Sequence, residues 1–198
     1  MGMTEQEKMD LGLWYDANFD PKLLELRKRS DDLCFAFNQT RPSDLKKQEE
    51  ILQQLFGQLG ANTSILSPLY VDYGDRTQIG EGCFINHGAY FMDGGHITLG
   101  NHCFIGPFCG FYTAAHPLLA KERNAGYEQA KPIVLEDNVW LGASVTVLPG
   151  VRIGEGSVIG AGSLVTRDIP AGVIATGSPY KVVRPITEAD SIQDLIAG

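Results

Sequence analysis

One of the four histidines in this chain lies in a segment that suits proton transfer. His116 sits in "TAAHPLLAKERNAGYEQAKPIVLE", residues 113–136, which is rich in charged and loop-forming residues. A neutral imidazole, whose ordinary pKa is about 6.5, can take a proton from an attacking hydroxyl group near neutral pH. The following proline favours an extended backbone at His116 and so restricts where the ring starts. By residue type alone His116 is chemically suited to act as a general base, and a solvent-exposed surface histidine is the simpler alternative.

The remaining histidines and the cysteines are considered as metal ligands. Three histidines from neighbouring coils can bind zinc in some β-helix enzymes, but His96 and His102 fall at turn-like positions and His87 follows Asn86. The cysteines lack any CxxC pair or other zinc spacing, so we expect no metal site and no disulfide. We predict small core residues at the four cysteine positions, which are Cys34, Cys83, Cys103 and Cys109.

Composition and charge exclude several classes of partner. The chain has 198 residues, a formal net charge of −8 and 43% hydrophobic residues, as expected for a globular protein of about one domain. The acidic balance argues against nucleic acid or an anionic membrane as the general partner. No apolar run approaches the length of a membrane span, and acidic residues stand where a signal peptide would be basic. The sequence therefore predicts a cytoplasmic protein.

A six-residue repeat must position the His116 segment. Aliphatic or aromatic residues recur at this spacing on both sides of residues 113–136, with small or β-branched residues four positions later. Neither a helix face nor alternating strands gives this period, whereas a solenoid with one hexapeptide per corner does. Three corners complete a coil of 18 residues, so we expect three parallel sheets around a narrow core. The predicted core residues are Ile79, Ile85, Phe91, Ile97, Leu99, Ile105, Phe111, Leu135, Leu141, Val147, Ile153, Ile159 and Val165.

The two ends of the chain do not follow the repeat. Apolar residues at three and four spacing predict two packed helices before residue 60, starting at Asp20-Pro21 and at Ser43-Asp44 and stopping at Gly60. The tail after Pro185 is weakly amphipathic and predicts a short helix or disorder. We therefore expect a helical lobe over residues 1–60, a β-helix over 61–185 with an excursion loop at 113–132, and a tail over 186–198.

Five segments resemble a known family, the hexapeptide-repeat acyltransferases, and within it the maltose and galactoside O-acetyltransferase group. They are "YDANFDPKLLELR", "INHGAYFMD", "YTAAHPL", "KPIVLEDNVWLGASVTVLPGVRIG" and "GAGSLVTRDIPAGVIATGSPYKVVR". Hexapeptides alone also occur in carbonic anhydrase-like and sugar-nucleotidyltransferase β-helices; the TAxHP element followed by a long excursion is more specific.

The resemblance implies an architecture and a reaction. The fold is expected to be mainly β, a left-handed parallel β-helix, and the enzyme an acetyltransferase that uses acetyl-CoA without a metal. The histidine matching His116 is the catalytic base in this family, and the excursion loop, roughly Pro117 to Lys131, covers the cleft between subunits. A homotrimer with three sites is implied, since each site is built from two subunits. Acetyl transfer is expected to be direct, without an acyl-enzyme.

The resemblance also implies binding residues for both substrates. Asn86, Asp93, Asp16 and Arg27 stand where the family binds sugar hydroxyls, and amide and carboxylate groups suit a polyol. Coenzyme A would contact Ala143, Ala161, Thr166, Arg167, Lys181 and Arg184, whose cations give an acidic chain a local positive site. Each position also has an ordinary structural alternative. The acceptor residues could be a corner-turning asparagine, a loop aspartate and charges on a helix surface, and the cofactor cations could simply form a solvated face.

Three departures from the family concern the details of the site. Ala143 replaces a hydroxyl residue near the thioester carbonyl, so an oxyanion contact must come from a backbone N–H or from Ser144. Gly94 stands where a second acid often follows Asp93. "GSPYKVVR" replaces the usual Gly-Asn-Pro-Ala, which predicts Tyr180 near the adenine end. These departures bear on the acceptor more than on the reaction.

Two other functions compete with sugar acetylation. A xenobiotic or amino-acceptor acetyltransferase would share the β-helix but usually lacks the helical "YDANFDPKLLELR" lobe. A non-catalytic β-helix scaffold would be expected to lack the loop histidine or the cofactor cations, and both are present. The physiological acceptor is not specified by the sequence.

Overall fold

The N-terminal part of the chain forms three helices. The structure, a computed structural model, describes residues 2–196. Helices α1 (Glu5–Asp10), α2 (Pro21–Gln39) and α3 (Leu45–Leu55) are joined by loops, and strand β1 (Tyr15–Asp16) lies between the first two. The carboxylates of Asp20 and Asp44 accept hydrogen bonds from the backbone N–H groups of Leu23 and Lys47, which confirms the two predicted helix starts. The predicted stop at Gly60 is wrong, because α3 already ends at Leu55.

Residues 58–177 wind into a triangular prism of parallel strands. Its first sheet contains β2 (Gln58–Leu59), β5 (Thr77–Ile79), β8 (Ile97–Leu99), β13 (Ile133–Leu135) and β16 (Arg152–Ile153). The second contains β3 (Ser64–Ile65), β6 (Phe84–Ile85), β9 (Phe104–Ile105), β14 (Trp140–Leu141), β17 (Val158–Ile159) and β19 (Val173–Gly177), with β20 (Tyr180–Pro185) antiparallel at its edge. The third contains β4 (Leu69–Val71), β7 (Ala89–Met92), β10 (Gly110–Tyr112), β15 (Thr146–Val147) and β18 (Leu164–Val165). The predicted parallel β-helix is confirmed.

The core of the prism is the predicted ladder of apolar residues. All thirteen positions of the six-residue repeat are at most 2% exposed. Strand registers stack them directly, as in the series Ile79, Leu99, Leu135 and Ile153 along the first sheet. The four cysteines are buried free thiols, as predicted. A continuous apolar column therefore holds the coils together.

Glycine occupies many corner positions of the prism, where successive coils approach closely. The first corner joins the first sheet to the second, the second corner joins the second sheet to the third, and the third corner joins the third sheet to the next coil. At the second corner, a Cβ on Gly106 would lie 2.6 Å from the carbonyl carbon of Gly142. Glycine is therefore required there by the close approach of successive coils.

Helix α2 packs along the outer side of the first coil. Ser30 donates a hydrogen bond of 2.9 Å to the carbonyl of Val71. The Asn38 side chain accepts from the N–H of Leu69 at 2.8 Å and donates to its carbonyl at 2.9 Å. Strand β4 is the edge of the third sheet, so these contacts satisfy an otherwise open edge. They also fix α2 beside the third sheet, where the candidate site lies.

The C-terminal hairpin closes the far end of the prism. Tyr180, at the start of β20, is 4% exposed and donates a 2.6 Å hydrogen bond to the carbonyl of Asp168. The ring packs inward over the last coil, with the Arg167 guanidinium 5.5 Å from its centroid, and its place near the adenine end of the cofactor site stays a prediction. Beyond Pro185 come a 3-10 turn (Glu188–Asp190) and the short helix α5 (Gln193–Ile196). The predicted tail continues to residue 198, and 197–198 fall outside the described residues.

Candidate active site

The His116 segment leaves the prism as a compact hairpin. It comprises β11 (Ala114–Ala115), helix α4 (Ala120–Asn124) and β12 (Tyr127–Ala130), and β11 pairs with β12. Strand β12 also pairs with β1 of the helical lobe. At its root, Lys131 donates its backbone N–H to the carbonyl of Thr113 at 2.8 Å. The excursion is thus attached to the prism at its base and to the lobe along one side.

One hydrogen bond orients the imidazole of His116. Its Nδ1 lies 3.0 Å from the backbone carbonyl of Tyr127. A carbonyl oxygen only accepts, so Nδ1 carries the hydrogen and Nε2 carries the free lone pair of the neutral ring. The side chain is 44% exposed, and its Nε2 lies 3.8 Å from Oε2 of Glu128. This geometry leaves a basic nitrogen accessible from solvent.

His116 borders an open cleft of about 520 Å³ between α2 and the third sheet. The other lining residues are Asn18, Arg27, Asp31, Asp72, Tyr90, Met92, Tyr112, Ala114 and Glu128. The rings of Tyr90 and Tyr112 meet edge to face, with centroids 5.7 Å apart. Aromatic rings beside directional polar groups can hold a molecule that has apolar faces and many hydroxyl groups.

Carboxylates dominate the electrostatics of this cleft. Burial raises the pKa of Asp72, while the hydrogen bond that it accepts from the Tyr90 hydroxyl at 2.7 Å acts in the opposite direction. Burial and the same contact raise the pKa of Tyr90, so its hydroxyl remains a donor. Asp31 and Glu128 add two further acids, against the single guanidinium of Arg27. The cleft therefore favours neutral or cationic ligands that donate hydrogen bonds.

Two predicted acceptor residues lie in or beside this cleft. Arg27 lines it, donates to the carbonyl of Ala17 and places its guanidinium 5.9 Å from the Tyr73 ring centroid. Asp16 pairs with Tyr127 at the start of β12, but its Oδ1 accepts from the backbone N–H groups of Asn18 and Phe19 at 3.1 and 2.9 Å. Asp16 thus shapes the turn that presents Asn18, and its carboxylate is already engaged.

Asp93 does not lie in the cleft, and its predicted contact with the acceptor is corrected. It is 0% exposed and accepts hydrogen bonds from the backbone N–H groups of Tyr73 and Gly74 and from the Thr77 hydroxyl, at 2.7 to 2.9 Å. Burial raises the pKa of Asp93 to about 6, although these bonds act to lower it. The carboxylate holds two turns of the third corner together within one subunit.

Asn86 lies on a different corner of the prism from His116. It stacks at the second corner above Gly106, Gly142 and Gly160, each joined to the next coil through its backbone N–H. Ala143 and Ala161, the predicted cofactor contacts, follow the last two glycines and belong to the same column. His116 extends from the third corner. Within one subunit, the second-corner residues Asn86, Ala143 and Ala161 therefore lie at the start of the third-sheet strands, whereas His116 lies beyond their far end.

The predicted cofactor cations cluster at the C-terminal end. Thr166 and Arg167 are exposed at the third corner of the last complete coil, and the Arg167 guanidinium lies 5.5 Å from the Tyr180 ring centroid. Lys181 and Arg184 are exposed on β20. Arg184 forms a two-pronged ion pair with Asp190, with bonds of 2.8 and 2.6 Å. Ion pairing with Asp190 raises the pKa of Arg184 and holds the pKa of Asp190 at about 2.

Sequence reasoning missed most of the residues that line the cleft. Glu128 was read only as part of a charged loop, although the alternating "YEQA" segment could have indicated a strand. Tyr90 and Asp72 carried no signal, because their approach to His116 depends on how the excursion folds back. Within residues 2–196 no group of three or more metal-ligating side chains comes together. No helix in that range is long and apolar enough to span a bilayer.

Comparisons with known proteins give a consistent assignment. The maltose acetyltransferase hexapeptide capping motif matches residues 8–60, and the bacterial transferase hexapeptide, with six repeats, matches residues 132–167. A protein of Staphylococcus aureus strain Mu50, provisionally named an acetyltransferase, is 55% identical over 184 residues, which cover 93% of this chain and 92% of that protein.

Two solved structures share the fold over almost the whole chain. A maltose O-acetyltransferase from Clostridium difficile 630 is 40% identical, with a TM-score of 0.92, covering 95% of this chain and 100% of that one. A galactoside acetyltransferase in complex with coenzyme A is 34% identical, with a TM-score of 0.91, covering 96% and 94%.

Proposed function

This chain belongs to the hexapeptide-repeat acetyltransferases that carry the maltose acetyltransferase capping motif, and on that premise we propose that it transfers the acetyl group of acetyl-CoA to a hydroxyl of a sugar. The observation that carries the proposal is the oriented imidazole of His116, whose free Nε2 faces a polar, aromatic-lined cleft. Acetyl-CoA as the donor is supported by the coenzyme A bound to the galactoside acetyltransferase relative.

The proposed reaction is a direct transfer. Nε2 of His116 takes the proton of the acceptor hydroxyl as its oxygen attacks the thioester carbonyl. The C–O bond forms, the tetrahedral intermediate collapses and the C–S bond breaks. The coenzyme A thiolate then takes the proton from the imidazolium and leaves as the thiol, which restores His116. No side chain becomes acetylated in this scheme, and Arg27 and Asn18 bind other hydroxyls of the sugar.

A backbone N–H is the proposed donor to the thioester oxygen. Ser144 already donates its backbone N–H to the carbonyl of Pro107 at 2.8 Å. The N–H of Ala143 has no backbone acceptor within the described part of the chain. A free amide at a fixed corner can stabilise the charge that develops on the carbonyl oxygen. We therefore assign that contact to Ala143, with Ala161 one coil further along the pantetheine arm.

The complete site requires a second copy of the chain. Asn86, Ala143 and Ala161 lie on the second corner, whereas His116 extends from the third, so a neighbour must bring the two groups together. The exposed faces of the first and second sheets differ in a way that supports association of subunits. The second sheet exposes a stripe that includes Phe104 and Trp140, each more than half exposed, whereas the first sheet presents mainly polar residues. Such a stripe marks an interface, and a homotrimer with three shared sites is our proposal.

The cytoplasmic location remains a prediction.

A thiol-release assay tests the proposed function. Purified protein and acetyl-CoA are incubated with a panel of monosaccharides, disaccharides and alkyl glycosides, with amines, and without any acceptor. We expect sugar-dependent release of coenzyme A, because the lining of the cleft suits hydroxyl-rich ligands. Release that depends only on amines would favour the amino-acceptor alternative, and no release with any acceptor would contradict acetyl transfer.

The cationic cluster should determine affinity for the phosphates of coenzyme A. The triple variant Arg167→Ala, Lys181→Ala, Arg184→Ala should raise the KM for acetyl-CoA by roughly 5- to 30-fold at low salt, since exposed charges contribute modestly and hydrogen-bonded ones more. The effect should shrink with acetyl-pantetheine, which has no phosphate. The triple variant Lys28→Ala, Lys46→Ala, Lys47→Ala, which removes the same number of positive charges from α2 and α3, is the matched control and should leave both KM values unchanged. An unchanged KM for acetyl-CoA in the triple variant would refute the assignment.

A further inference from the structure

Strand β12 contacts both nitrogen atoms of the His116 ring through two consecutive residues. The carbonyl of Tyr127 accepts from Nδ1 at 3.0 Å, and Oε2 of Glu128 lies 3.8 Å from Nε2. The first contact fixes the tautomer and the second places a carboxylate beside the basic nitrogen. Because both come from one short strand, the position of β12 determines the environment of the whole ring.

Strand β1 in turn holds the Glu128 carboxylate. Tyr15 and Glu128 are direct partners in the β1–β12 ladder, and the Tyr15 hydroxyl donates to Oε1 of Glu128. Tyr15 is 0% exposed, and burial together with the neighbouring carboxylate raises its pKa, so the hydroxyl remains a donor. The Glu128 side chain is only 14% exposed. One oxygen is thereby fixed, and the other is directed at His116.

The separation of 3.8 Å has a chemical consequence. It is too long for a hydrogen bond, so the lone pair on Nε2 remains free to accept a proton. Once the proton arrives, the imidazolium and the carboxylate attract each other, and the burial of the Glu128 side chain limits screening by water on its side of the pair. We propose that Glu128, oriented by Tyr15, is a positioning residue that stabilises the protonated His116 ring during acetyl transfer. This inference rests on the proposed function.

Other charged groups also face this pair. Those in the cleft are Arg27 and Asp31 on α2, Asp72 after β4, Tyr90 on β7 and Tyr112 on β10, in addition to Tyr15 on β1. Asp31 and Asp72 add negative charge and Arg27 adds positive charge. Glu128 differs from them because its carboxylate is within 4 Å of Nε2. Its removal should therefore affect the ring more than the removal of a more distant carboxylate.

The test is the pH dependence of the variant Glu128→Gln, which keeps the shape of the side chain and removes its charge. With saturating acetyl-CoA and a sugar that the wild type uses, kcat should fall by about 10- to 100-fold. The acid limb of the kcat/KM profile should move to lower pH, because an imidazolium without a carboxylate partner loses its proton more readily. The KM for acetyl-CoA should change less than about twofold, since Glu128 is not part of the proposed cofactor contacts.

Three further variants separate this role from a structural one. Glu122→Gln removes an equal charge from the same excursion at an exposed position and should match the wild type. Tyr15→Phe keeps the carboxylate but loosens it, so kcat should fall by about 3- to 10-fold and the acid limb should move less than in Glu128→Gln. Glu128→Asp withdraws the carboxylate by one methylene and should place the acid limb between the wild type and Glu128→Gln. It also serves as the test if Glu128→Gln fails to fold in a thermal melt.

An acid limb that stays in place in the folded Glu128 variants, or a Glu128→Gln kcat within twofold of the wild type, would overturn the inference. Failure of the proposed function would be seen separately, as wild-type protein that releases no coenzyme A with any sugar or as a His116→Ala variant that remains active.

Discussion

Replacing His116 with alanine should lower kcat by roughly 10²- to 10⁴-fold, which corresponds to about 3 to 5 kcal/mol of barrier. The reason is geometric. Nδ1 is held by the carbonyl of Tyr127, so Nε2 is the nitrogen that can accept the hydroxyl proton, and no other histidine lines the cleft in the described part of the chain. The KM for acetyl-CoA should stay near the wild-type value, because the His116 side chain is not one of the proposed cofactor contacts.

The matched control is His96→Ala, which removes an exposed imidazole outside the cleft and should keep full activity. Intact-mass spectrometry of the wild type with acetyl-CoA alone should detect no covalent acetyl-protein, since the transfer is direct. If His116→Ala retains most of its kcat, or if an acetylated cysteine or serine accumulates fast enough to account for turnover, then His116 is not the base.

The second large effect is expected from mixing two inactive variants. His116→Ala should remove the base, and Ala161→Trp should block the second corner where the pantetheine arm is proposed to lie. Each variant alone should lose at least about 99% of its activity. In a ring of three where each site takes His116 from one subunit and the corner from the next, every mixed trimer regains one intact site.

Random co-expression should therefore restore about a quarter of the wild-type activity, since about three quarters of the trimers contain both variants and each of these has one intact site out of three. Purification through two different affinity tags, which retains only mixed trimers, should raise this to about a third. Light scattering of the wild type at micromolar concentration should give the mass of three chains. If each site lies within one chain, mixing would restore nothing. An active monomer would contradict the shared site outright.

The prism could be predicted from the sequence because its signal is local and repeated. An aliphatic residue at every sixth position, as from Ile79 to Ile85 and from Leu135 to Leu141, has one efficient way to bury its side chains, and each coil repeats the same constraint. The helix starts at Asp20 and Asp44 were predictable for the same reason, since a capping carboxylate acts on the backbone three residues later. The interruption around His116 was visible as a break in this regularity.

The site itself was less predictable, because its residues meet through tertiary contacts. Whether a carboxylate at a corner points inward or outward is not set by the hexapeptide, so Asp93 was assigned to the acceptor although it closes a turn inside the subunit. Glu128 comes close to His116 because β12 folds back on β11, and its carboxylate is held by Tyr15, more than a hundred residues away in sequence. Nothing in the "GSPYKVVR" segment indicates that the hairpin folds the Tyr180 ring into the core.

The most direct test of the central claim is to identify the product of the wild-type reaction. Acetyl-CoA labelled with ¹³C at the carbonyl is supplied with a sugar that supports thiol release, and the products are followed by NMR and mass spectrometry. The proposed function predicts one sugar acetyl ester for each coenzyme A released, with the label on a sugar oxygen and none retained on the protein. Labelled acetate formed at the same rate with and without sugar, or label found only on an amine or on the protein, would contradict it.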